Sequence, residues 1–164
     1  MKMTYDMLEQ IVVNSIEEAL GVSEEELEYI DEAPVFDLDS EEGTAVAVDF
    51  DVPTFMRKYY DGSILSMHFV VMQSKAAIHA FVGADCSNPD LANEFIERYM
   101  ETARFSDVWG TPIMCEHGTG LMLTTDFSFA TEKELGEEFV KRLSLFTNER
   151  FTNELRPFLH YFED

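Results

Sequence analysis

The stretch "SILSMHFVVMQSKAAIHAFVGA", Ser63 to Ala84, constrains the fold of this chain more than any other. It holds two runs of β-branched, aromatic and small apolar residues, separated only by Gln73-Ser74. Two residues suffice to reverse a strand, whereas a parallel crossover takes a dozen or more. The runs therefore predict an antiparallel hairpin. Both faces of the first run are largely apolar, which places it in the centre of a sheet.

The rest of the chain supplies partners for that hairpin. Val46, Val48, Phe50 and Val52 alternate with Ala45, Ala47, Asp49 and Asp51, so one face is buried and one is wet. Pro53 ends the run, and the "FDL" before the Gly43 turn is a candidate edge strand beside it. "VWGTPIMCEHGTGLMLTTDFSFA" predicts a second hairpin around Glu116–Gly120. Its returning strand carries Leu121, Leu123, Thr125, Phe127 and Phe129 on one face. Helix periodicity appears from Tyr5 to Leu20, stopped by Gly21, with Leu8, Ile11, Val12, Ile16, Ala19 and Leu20 on one side. Ser23 and Glu26 form a capping box that predicts a short helix from Glu24 to Ile30. Asn88 and Pro89 open a helix running to about Arg104. Thr131 and Glu134 cap the last one, with Leu135, Phe139, Leu143 and Phe146 as its core stripe. The prediction is an α+β protein with an antiparallel sheet of five or six strands and helices packed on it, in the order α-β-β-β-α-β-β-α.

With 164 residues, the chain reads as a single domain. It divides into an N-terminal helix (1–22), an acidic connecting segment (23–43), the sheet and helices (44–146) and an aromatic C-terminal extension (147–164). Hydrophobic residues make up 46%, including 14 Phe, which is too apolar for a disordered acidic protein. The net charge of −22 argues against nucleic acid and against anionic membrane surfaces, and favours basic partners. That charge is uneven. No Lys or Arg lies between Lys2 and Arg57, while 16 of the 33 acids fall in the first 56 residues. The opening "MKMTYDMLEQ" has early acids and no apolar run, so it does not read as a secretory signal. Cys86 and Cys115 lack CxxC spacing and read as reduced thiols of a cytoplasmic protein.

The element order on a small acidic chain resembles the type III secretion chaperone-like fold. Within it, the chain is similar to the YbjN-like family of bacterial sensory-transduction regulators. The likeness is carried by "PIMCEHGTGLMLTTDFSFATEKEL": an apolar strand, an acidic glycine turn, an apolar strand ending near Asp, then a capped helix. It spans roughly Thr4 to Phe146, with the acidic segment from Glu24 to Glu42 and the tail after Phe146 as departures. The resemblance implies a binding module, and it carries over no catalytic residue set. The secretion chaperones are dimers that wrap an extended partner segment around apolar patches.

The residues themselves offer few chemical sites. His68, His79, Cys115 and His117 are candidate metal ligands, and His68 and His79 share a face if the hairpin register allows it. Their spacing matches no zinc motif, so the simpler reading is sheet-surface histidines and a packed cysteine. A Cys115–His117 nucleophilic dyad sits in acidic or apolar surroundings, which work against a thiolate. The acids of "DFD" (Asp49–Asp51) and "DLDSEE" (Asp37–Glu42) attract cations without the spacing of a built site. No cofactor is indicated. The tail places Phe151, Leu155, Phe158, Leu159 and Phe162 at helical spacing, interrupted by Pro157 unless Thr152 or Asn153 starts a new helix nearby. This stripe either packs back on the sheet or forms a partner or dimer surface. The expected function is a non-enzymatic protein-binding module, regulator- or chaperone-like and homodimeric, with the tail residues as partner contacts. Two alternatives stand beside it: a dedicated type III secretion chaperone, and an enzyme or small-ligand binder using a pocket between sheet and helices.

Overall fold

A computed structural model describes residues 3–29, 45–51, 64–83, 90, 94, 97, 108–110, 113–114 and 120–160. It is an α+β structure whose body is an antiparallel sheet of four strands: β2 (Val46–Asp51), β3 (Ile64–Met72), β4 (Lys75–Gly83) and β6 (Gly120–Ser128). Two-residue segments, β1 (Glu28–Tyr29) and β5 (Ile113–Met114), pair at the margins, giving the order β1-β2-β3-β4-β6-β5. Three helices are described: α1 (Tyr5–Leu20), α2 (Glu132–Leu143) and α3 (Glu149–His160). No helix among the described residues is long and apolar enough to cross a membrane.

The Gln73-Ser74 reversal joins β3 to β4 directly, with Met72 opposite Lys75. Gln73 takes the left-handed φ of 57° that so tight a reversal demands. This turn fixes the register of the whole hairpin. Met67, Phe69 and Val71 then line up with Ala80, Ile78 and Ala76, and further out with Phe50, Val48 and Val46 on β2. Nearly all of these side chains are fully buried, each worth about 1.5–3 kcal/mol relative to water if it is a large aliphatic or Phe.

That face is covered by α1 and α2, which pack on each other. Thr4 caps α1 by accepting from the Met7 N–H at 3.2 Å, and Gly21 ends it in the left-handed conformation at φ 68°. On α2, Thr131 accepts from the Glu134 N–H at 3.1 Å. The stripe Leu135, Phe139, Leu143 and Phe146 is entirely buried. Phe139 stands edge-on to Phe69 at 5.3 Å and to Phe127 at 5.7 Å, tying the helix to two strands.

Several local expectations change. The predicted helix from Glu24 to Ile30 is a single 3-10 turn, Glu24–Glu26, after which Glu28–Tyr29 pairs with β2. The capping box is present, with Glu26 accepting from the Ser23 N–H at 3.0 Å. One turn is too short to propagate, and burying Leu27 while gaining a strand pairing is the better use of the chain. The tail helix starts earlier than Thr152. Asn148 accepts from the backbone N–H groups of Arg150 and Phe151, and α3 runs on through Pro157. An interior proline costs about 3 kcal/mol in a helix, and burial of Phe151 and Leu155 in the common core offsets it. Phe151 packs edge-on to Phe146 at 5.1 Å, and Trp109 packs on the same ring at 5.3 Å. The first turns of the extension are thus part of the central core. Asp90, Glu94 and Glu97 are helical and exposed, as the outward face of the predicted helix requires. The "FDL" edge strand and the Glu116–Gly120 turn lie outside the described residues, apart from Gly120 itself.

Candidate functional site

The second face of the sheet is different in kind. The register sets Asp49, His68, His79 and Thr124 opposite one another across β2, β3, β4 and β6. They form one polar row in an otherwise mixed surface, flanked by the row Ala47, Val70, Ala77 and Asp126 and by the row Asp51, Ser66, Phe81 and Met122. Strand alternation alone explains their common facing: His68 sits between the buried Met67 and Phe69, and must point away from them.

His68 is only 5% exposed. Its Nδ1 meets Asp49 Oδ1 in a hydrogen bond. That contact with Asp49 sets the orientation of the ring. The rings of His68 and His79 lie 5.8 Å apart, tilted by 38°. Burial holds His79 below its ordinary 6.5, and the neighbouring His68 pushes the same way against an opposing pull from Asp126. At the margin, burial raises Asp51, as does Glu28 directly across the strand pair, while a hydrogen bond from Ser66 partly offsets both. The arrangement can orient an imidazole and accept or relay a proton. Among the described residues no group of three His, Cys, Asp or Glu could hold a metal ion.

A second feature lies on the outer surface of the helical layer. Between α1 and α2 runs an open groove of about 350 Å³. Its apolar lining comes from Ile11, Gly136 and Val140, and carboxylates come from Glu18, Glu132 and Glu137, with Lys133 beside them. The groove exists because Gly136 has no side chain where two helices converge. A Cβ there would meet only the Ile11 Cγ2 methyl, at 3.9 Å.

The sequence-based candidates divide accordingly. His68 and His79 come together on one face, directly opposite each other. Cys115 and His117 lie outside the described residues, so their relation to that pair is not part of the geometry. Phe151 and Leu155 are 3% and 0% exposed and pack inward, so in this conformation neither presents a side chain to a partner. Phe158 and Leu159 belong to α3, with side chains outside the described set, and Phe162 lies outside it altogether. Two features escaped the sequence reading. One is Asp49 as the orienting partner of His68, for which the signal was its shared parity with the wet face of β2. The other is Gly136, a lone glycine inside a helical pattern, which commonly marks a special surface. The chain matches no family model, no curated protein and no solved structure.

Proposed function

We propose that this chain is a non-enzymatic protein-binding module, regulator- or chaperone-like, that takes up an apolar segment of a basic partner. The observation that carries this reading is the charge exposed on the helices. Asp6, Glu17 and Glu18 on α1, Glu132, Glu134 and Glu137 on α2, and the helical Asp90, Glu94 and Glu97 are all exposed. On α1 and α2 the exposed cations are Lys133 and Lys141 alone. Such a surface repels phosphate backbones and steers basic proteins, and its pull fades with salt. The finer fold assignment, a type III secretion chaperone-like frame of the YbjN-like kind, belongs to the same proposal, with the antiparallel sheet under a helical layer as its support.

The test is affinity capture from host lysate at low and at high salt, with mass spectrometry of what is retained. The expected result is one near-stoichiometric basic protein that is lost at high salt, and lost again when Glu17, Glu18, Glu132 and Glu137 are changed to Gln. Capture that ignores both salt and these substitutions would sink the proposal. Ending the chain at Phe146 is a poor control, because removing Phe151 and Leu155 uncovers the core.

A second reading draws on the polar row. Asp49, His68 and His79 converge as a small-ligand site would require. Histidine ring-proton resonances that shift when a library of small carboxylates and amines is added would favour it.

A further inference from the structure

We infer that the groove between α1 and α2 is the docking site, and that its occupant is a basic segment which inserts an aliphatic side chain over Gly136 and sets Lys or Arg against Glu18, Glu132 and Glu137. The inference rests on the protein-binding reading and adds the place and the chemistry of the contact.

Three observations fit together. The apolar part of the floor is made by the Ile11 and Val140 side chains on either side of a residue with none, and Asn14 and Ser15 complete the lining, the Ser15 hydroxyl being already bonded to the Ile11 carbonyl. A volume of about 350 Å³ is at the lower end of ligand cavities, about 300–1,000 Å³, which suits one or two inserted side chains. The rim holds three carboxylates against one ammonium. That ammonium, on Lys133, lies 3.9 Å from Glu137 on the same helix, and both side chains are largely exposed, a geometry that binds weakly and yields readily to a competing cation. An anionic rim around an apolar floor excludes acidic and phosphate-bearing partners and selects a cationic amphipathic one. A second copy of this chain, at net charge −22, would meet like charge with like.

Gly136 also separates binding from folding. A methyl added there makes ordinary contact with Ile11 and removes an interior helix glycine. Gly136→Ala should therefore raise the melting temperature by about 2–4 °C while filling the floor that an occupant needs.

The experiment uses the full chain, isotope-labelled, and a defined probe: a short helical peptide with Leu at every fourth position and Lys elsewhere. Two controls are the same peptide with Glu for Lys and an all-Lys peptide without Leu. The expected result is saturable shifts confined to the Ile11 and Val140 methyls and the amides around Gly136, absent with the Glu peptide and weaker by about tenfold with the all-Lys peptide. Gly136→Leu should lose at least about tenfold in affinity and Gly136→Ala an intermediate amount, the latter with raised thermal stability. Shifts spread over all the acidic helices, equal for both cationic peptides and indifferent to Gly136, would overturn the groove and leave a basic partner standing. No shifts with any peptide would overturn it as well, and salt-sensitive capture from lysate would then decide the broader reading separately. Groove resonances that move with protein concentration alone would make the occupant a second copy and overturn the basic segment.

Discussion

Arg142 offers the sharpest test of how the sheet, the Trp109 segment and the last helices are joined. Its guanidinium donates to Thr125 Oγ1 at 2.6 Å and, more weakly, to the Val108 carbonyl at 3.4 Å. It lies 4.4 Å above the Phe127 ring, with Nη2 3.1 Å from Glu138 Oε2. That carboxylate contact is an ion pair without good hydrogen-bond geometry. The backbone carbonyl of Arg142 accepts from the Trp109 indole at 2.9 Å, and no change of the Arg142 side chain removes that acceptor. Arg142→Met keeps the aliphatic stem and discards the charge. The charge-assisted bond to Thr125 contributes about 1.5–3 kcal/mol, the ring contact about 0.5–1 and the partly exposed ion pair at most about 1. Two terms offset them. Arg142 is 12% exposed by its side chain and so bears a desolvation cost, and its Nε–H meets no acceptor among the described residues. The net expectation is a loss of about 2 kcal/mol.

Thr125 keeps a partner in that variant, because its hydroxyl still donates to the Val108 carbonyl. Thr125→Val removes both bonds at once and should cost as much or more. Urea unfolding followed by tryptophan fluorescence reads the effect where it occurs, since Trp109 is the single tryptophan. At a typical slope, 2 kcal/mol moves the midpoint by about 1 M. The double variant should lose less than the sum of the singles, by about 0.5–1.5 kcal/mol. If Arg142→Met lies within about 0.5 kcal/mol of the parent and the pair is additive, the guanidinium is a desolvated charge with no net contribution, and the reasoning fails.

Other expectations are simpler to check. His79 has its folded value held below 6.5, so the unfolded chain takes up its proton first. Its contribution is present above about pH 6.5 and lost as pH falls through the folded value. Unfolding curves between pH 7 and 5 should therefore fall more steeply for the parent than for His79→Gln, and parallel curves would contradict this. Asp51 is raised, so its ionisation weighs against folding at neutral pH and is relieved as pH falls. Asp51→Asn, which keeps an acceptor for Ser66, should gain up to about 1 kcal/mol at pH 7 and nothing below about pH 3.8, measured by the same unfolding assay. Gln73 stands at φ 57°; Gln73→Gly should be neutral or stabilising by about 0.5 kcal/mol, and Gln73→Val should lose about 1 kcal/mol or more. A stable Val variant would mean that the reversal has another conformation.

Much of this protein is written locally. The two-residue Gln73-Ser74 link leaves the flanking runs no geometry but an antiparallel pair, and alternation then assigns Phe69 and His68 to opposite faces without reference to the rest of the chain. The helix limits at Gly21 and Thr131 are equally local, because a cap is a bond between near neighbours. Where local signals competed, the sequence was not enough. The capping box at Ser23 reads as a helix until Leu27 finds the core and Glu28 finds β2. Pro157 reads as a break until burial of Phe151 and Leu155 outweighs the missing bond.

The sites belong to the tertiary structure for the same reason. Asp49 and His68 are 19 residues apart and meet only through a register that the sheet sets. Gly136 and Ile11 stand at opposite ends of the chain, and the groove they share comes from packing two helices over the sheet. Sequence determined which residues are apolar, which are charged and where each element turns, since those properties travel with the residue and its immediate neighbours. Which aromatic side chains became core, which histidine gained a carboxylate, and where a groove opened between two helices depended on distances between elements, and those exist only once the sheet and its helices have closed on each other.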